Sequence, residues 1–238
     1  METLAQHFVP QWISIFFLLA IPLPFILITL FVRKATINSK NPSIWLYLSG
    51  FWVLFVGYIA FASFNGWFDI VSLPPRVLLF TTFPYALLLF GIVLNSNVYK
   101  TIVNHVKVED LVQLHIFRLI GIFFVLLAFH DALPRSFALI AGFGDIITAI
   151  TSIFVVKAIQ NKKPYAKMCT LIWNIFGTVD ILFTAIAANV ITKISIDTGV
   201  MGVDSLAKFP FCIIPAFAPP TILFLHWAIF QKLKKNSI

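Results

Sequence analysis

At 238 residues, with 60% apolar content and 27 phenylalanines, the chain is too hydrophobic for a water-soluble domain. Its net charge of +8 is spread over connecting segments and not gathered on a soluble basic module, which excludes nucleic acid as the partner and leaves the lipid bilayer. Only two cysteines occur, so neither a disulfide framework nor a cysteine metal site organises the fold.

The apolar stretches predict an all-α, polytopic transmembrane bundle forming a single integral-membrane domain over 1–238. Seven spans follow in chain order, each approaching or exceeding the roughly 20 residues that cross about 30 Å of hydrocarbon as a helix. The first, Trp12 to Val32, follows an N-terminus that carries Glu2 and no positive charge, and it ends in Arg33-Lys34; it reads as a retained span and not as a signal peptide. The second, Ile44 to Phe64, and the third, Val77 to Leu94, hold no ionisable group at depth, so these first three spans are assigned to packing. In the connection Asn95 to Asp110, Val98, Ile102 and Val106 recur every four residues ahead of Glu109-Asp110. That pattern predicts a short interfacial helix followed by a helix start, with a solvated linker as the alternative.

The fourth span, Leu111 to His130, contains Arg118 on one face with His115 and Gly121. The fifth, Ser136 to Val156, places Ala138, Ala141, Gly142, Asp145, Thr148, Ala149 and Ser152 within about 120° of its circumference. The sixth, Met168 to Ile191, repeats the arrangement with Thr170, Asn174, Gly177, Asp180, Thr184 and Ala188. An outer loop from Thr192 to Lys208 leads to the seventh span, Phe209 to Gln231. There Pro215, Pro219 and Pro220 each remove an N–H from the helix ladder, and His226 shares a face with Cys212.

Orientation follows from the Lys and Arg distribution. One set of loops holds Arg33, Lys34, Lys40, Lys100, Lys107, Lys157, Lys162, Lys163, Lys167, Lys232, Lys234 and Lys235; the other holds Arg76, Arg135, Lys193 and Lys208. The excess marks the cytoplasmic side, which puts the N-terminus outside and the C-terminus inside.

Arg118, Asp145 and Asp180 stand apart as ionisable groups within spans. A charge at the centre of a membrane helix costs roughly 2.5–3.5 kcal/mol on insertion, so such groups face a bundle interior and mark solute or proton pathways. Arg118, Asp145, Asn174, Asp180 and His226 are therefore the candidate substrate or proton pathway, with Thr148 and Thr184 as secondary cavity lining. No motif identifies catalytic residues. A second constellation competes: His115 and His226 fall at similar depth on two spans, where a pair of histidines can ligate haem or another metal.

Arg118-x-x-Gly121, Leu133-Pro134 with Phe137-Ala138, Ala141-Gly142-x-Gly144-Asp145, Trp173-Asn174-x-x-Gly177-x-x-Asp180, Phe209-Pro210 and His226 together resemble an uncharacterised family of bacterial multi-pass inner-membrane proteins. The resemblance covers mainly the C-terminal half and implies a bacterial inner membrane, with no assigned activity. The seven-span topology also resembles the rhodopsins, but no lysine lies between Phe209 and Gln231 to hold retinal. The leading expectation is a small-solute permease or proton-linked transport component, for which no cofactor is required. A membrane haem or metal redox protein or enzyme is the second, and a sensory or assembly subunit with structural buried charges the third.

Overall fold

A computed structural model describes residues 8–39 and 42–235, so Glu2, His7 and Lys40 lie outside the described residues. Regular structure among the described residues is helical. The first span is built from α1 (Gln11–Ala20) and α2 (Pro22–Thr36), which run on through a right-handed helical Ile21 with Pro22 at the first position of α2. Pro22 lacks the N–H that would continue the ladder to the Leu18 carbonyl, and the span divides into two helices at that point. The second is α3 (Ile44–Phe64).

The third apolar stretch departs from a regular α-helix. Only α4 (Phe83–Leu87) is α-helical, and it lies between π-helical turns at Leu78–Thr82 and Leu88–Val93. The Leu78–Val93 segment then meets α5 (Asn97–His105) across an 80° bend. The Ser96 hydroxyl caps α5 by accepting from the Tyr99 N–H at 3.1 Å, and the Tyr99 hydroxyl donates to Gln231 at 2.8 Å. The valine and isoleucine repeat thus does form a short helix, set at 80° to the segment before it.

Next come α6 (Val108–Leu114), a 3-10 stretch at His115–Gly121 and α7 (Ile122–Phe129), one after another along a single span. Two long helices follow, α8 (Arg135–Gln160) and α9 (Ala166–Thr198), and the chain closes with α10 (Ile213–Lys234). Among the described residues six helices are long and apolar enough to cross a membrane, and the bent Leu78–His105 pair is a further candidate.

α9 continues beyond the expected loop boundary at Ile191. Lys193 and Asp197, one turn apart, pair at 2.6 Å and extend it to Thr198, where Gly199 ends the helix with a left-handed φ of 71°. The outer loop is shorter by that length.

The span Val108–Phe129 and α10 are the most deeply buried, while α3 is the most exposed. Outward-facing Val53, Leu54, Phe61 and Phe64 on α3, and Ile172, Val179 and Phe183 on α9, leave an apolar exterior suited to hydrocarbon. Inside, Phe17 packs against Phe123 and Phe211 at ring distances of 5.1 and 5.0 Å, and Phe217 touches Phe25 and Trp52 at 4.6 and 5.6 Å.

Candidate functional site

The 3-10 stretch carries Arg118 into the centre of the bundle, where its side chain has no exposed surface. Nε donates to Asp145 Oδ1 on α8 at 2.7 Å, and Nη2 donates to Asp180 Oδ2 on α9 at 2.5 Å. Nη1 contacts the Gly177 carbonyl and His226 Nε2, each at 3.3 Å. One guanidinium therefore joins the Val108–Phe129 span to α8, α9 and α10. Its planar fork allows this, since separate edges meet separate acceptors.

His226 and Asn174 extend the network. His226 Nδ1 lies 2.8 Å from Asn174 Oδ1, and Asn174 Nδ2 donates to the His226 carbonyl at 3.1 Å. Because Arg118 offers only protons, His226 Nε2 accepts, which assigns the ring proton to Nδ1 and directs it at Asn174.

Glycines make the space. A Cβ on Gly144 would stand 1.7 Å from Asp180 Oδ1, and one on Gly121 would stand 2.6 Å from the Asp145 Cβ. At Gly177 it would meet the His226 ring at 2.6 Å. Three different helical segments thus omit a side chain where the cluster's groups come closest.

The structure brings together Arg118, Asp145, Asn174, Asp180 and His226. All seven residues of the small stripe on α8, from Ala138 to Ser152, are buried. Thr148 is among them, but its hydroxyl donates to the Gly144 carbonyl of its own helix at 2.8 Å. Thr184 is half-buried on α9, one turn beyond Asp180.

Two further aromatic residues surround the histidine. Trp173 lies 5.6 Å from the His226 ring and 5.1 Å, edge-on, from that of His115, and its Nε1 donates to the Thr148 carbonyl at 3.1 Å. Trp173 had entered only through the sequence resemblance, because a tryptophan within an apolar span carries no periodic mark of its partners. His115 is fully buried, its ring centroid lies 4.2 Å from that of His226, and among the described residues neither of its ring nitrogens has a hydrogen-bond partner.

The His115 and His226 pair does not fit axial ligation of haem. Their rings are in face contact, tilted by 34°, which leaves no space for a porphyrin between them. Both nitrogens of His226 are also engaged, one of them by a cation. Among the described residues no group of three or more His, Cys, Asp or Glu side chains is placed to hold a metal ion.

A family model described as a domain of unknown function (DUF8737) matches residues 74–234, a range that contains the whole cluster. No curated protein and no solved structure matches the chain.

Proposed function

The chain belongs to the DUF8737 family, whose function is unknown, and from the buried charge cluster we propose a proton-linked transport component or small-solute permease of a bacterial inner membrane. A charge imbalance supports this. Two carboxylates, Asp145 and Asp180, share the single Arg118 guanidinium, so the ionised cluster carries one excess negative charge inside an apolar bundle. Holding such a charge in low dielectric is costly, and the balance is completed by one more positive charge, either a proton on a carboxylate or a small cation. A purely structural ion pair would need only one of the two acids.

In this scheme Asp145 and Asp180 are the exchanging groups and Arg118 their fixed counter-charge. Asn174 and His226 form the adjoining hydrogen-bonded path, with Thr148 and Thr184 along its walls. Reading the bent Leu78–His105 pair as a span gives seven, with the N-terminus outside; the concentration of Lys and Arg in alternate loops supports that orientation.

Infrared difference spectra of the purified protein between about pH 5 and 8 provide the test. The expected result is a carboxylic C=O absorption that appears on acidification and is lost in Asp145→Asn or Asp180→Asn. Wild-type proteoliposomes should also dissipate an imposed pH gradient faster than either variant. Absence of a buried carboxylic band, together with gradients that decay as in empty liposomes, would leave the cluster as an ion-pair lock and end the proposal.

A further inference from the structure

A cleft of about 820 Å³ lies apart from the charge cluster, between α5 and the last turns of α10. Its volume falls within the roughly 300–1,000 Å³ typical of ligand sites. The 80° bend between the Leu78–Val93 segment and α5 sets this short helix aside from the preceding span, and side chains tie it to α10. The Tyr99 hydroxyl donates to Gln231 at 2.8 Å, and Lys235 Nζ reaches Asn104 Oδ1 at 3.4 Å. The cleft is therefore held open by fixed neighbours.

Its wall changes character along α10. Lys234 and Lys235 line it at the C-terminal end of that helix, and Lys100 lines it from α5. Phe230 and Trp227 follow about 6 and 10 Å further into α10, where Leu94 and Val103 complete an apolar part. Trp227 is 46% exposed, so this apolar part opens sideways out of the bundle. A tryptophan so placed suits the boundary between headgroups and hydrocarbon.

Three ammonium groups thus converge on one concavity. No Asp or Glu lines it among the described residues, and Lys100 and Lys234 have no carboxylate partner there; Glu109 and Asp110, which follow α5, pair with Lys107 and Lys34 instead. An anion completes the charge balance, and the neighbouring apolar wall selects which kind. A soluble phosphate would meet the lysines but leave Trp227 and Phe230 uncovered, whereas a lipid without net charge would cover the rings and leave the lysines unneutralised. Basic pockets beside membrane helices recognise anionic headgroups, each lysine near the surface contributing a comparable electrostatic increment. We propose that this cleft binds an anionic phospholipid. Its phosphate accepts from Lys100, Lys234 and Lys235, and the first part of its acyl chains lies against Val103, Phe230 and Trp227. The inference is independent of the proton-linked reading of Arg118, Asp145 and Asp180 and requires only that the helices lie in a bilayer.

Native mass spectrometry of the delipidated full chain in detergent tests it with three probes: phosphatidylglycerol, phosphatidylcholine with the same acyl chains, and free glycerol phosphate. Phosphatidylglycerol should bind about tenfold more tightly than phosphatidylcholine. Lys100→Gln combined with Lys234→Gln should bring it down to the phosphatidylcholine level, and Trp227→Ala should weaken both lipids by a similar factor. Lys157→Gln combined with Lys163→Gln removes the same charge from exposed positions outside the cleft and should leave the preference intact. Equal binding of the two lipids, an equal loss in the Lys157 and Lys163 variant, or displacement of the lipid by glycerol phosphate would each overturn the proposal.

Discussion

Arg118 holds its position through acceptors on three other helices, and the consequences of losing it differ from those of losing an acid. Arg118→Leu leaves Asp145 and Asp180 buried without a cation and is expected to cost about 3–5 kcal/mol, measured by thermal unfolding in nanodiscs. Arg118→Lys keeps the charge but replaces a fork with a point, so it reaches one carboxylate well and the other poorly; an intermediate loss is expected. Glycine substitutions separate crowding from helix propensity. Gly144→Ala drives a Cβ into the Asp180 carboxylate and should destabilise by about 1–3 kcal/mol, whereas Gly57→Ala on α3, with nothing within 4 Å of its added Cβ, should cost nothing. The same crowding explains why Gly144 escaped the periodic reading. It points about 100° away from Asp145, toward α9, and its importance lies in a carboxylate from that other helix.

At the scale of elements, the π-helical stretch and α10 are coupled through a backbone defect. Pro219 has no N–H, so the Pro215 carbonyl loses its partner in α10; the Thr82 hydroxyl, from the first π turn, donates to that carbonyl at 2.7 Å. Thr82→Val should therefore cost about 1–3 kcal/mol alone. In a Pro219→Ala background the restored N–H serves the carbonyl and most of that cost should vanish. A double-mutant cycle in chemical unfolding reads the coupling directly, and additive effects would contradict it. The prolines were visible as ladder breaks, but the donor that repairs one of them lies 133 residues away in sequence, beyond any local pattern.

For the whole molecule, the distribution of Lys and Arg predicts which face of the bilayer each end meets. Single-cysteine variants in a background lacking Cys169 and Cys212 decide it. Val200→Cys, in the exposed segment after α9, should react with a membrane-impermeant maleimide in intact cells, whereas Lys163→Cys, between α8 and α9, should react only after permeabilisation. The reverse pattern would invert the orientation. The ends and the centre of the bundle also differ in kind. Ion pairs such as Lys34 with Asp110 at 2.9 Å and Lys208 with Asp69 at 2.5 Å lie near span ends, where water screens them, and contribute little; the Arg118 cluster lies where screening is absent.

Composition and periodicity alone determined the helical membrane class, the buried faces of α8 and α9 and the candidacy of Arg118, Asp145 and Asp180. A charge within hydrocarbon is costly at any position, so it is conspicuous in one dimension. Tertiary structure decided which atoms of Arg118 meet which carboxylate, that His115 and His226 stack without room for haem, and that a cleft opens beside Trp227. Each depends on the relative placement of several helices. In sequence, a phenylalanine or leucine lining a cavity looks the same as one facing lipid.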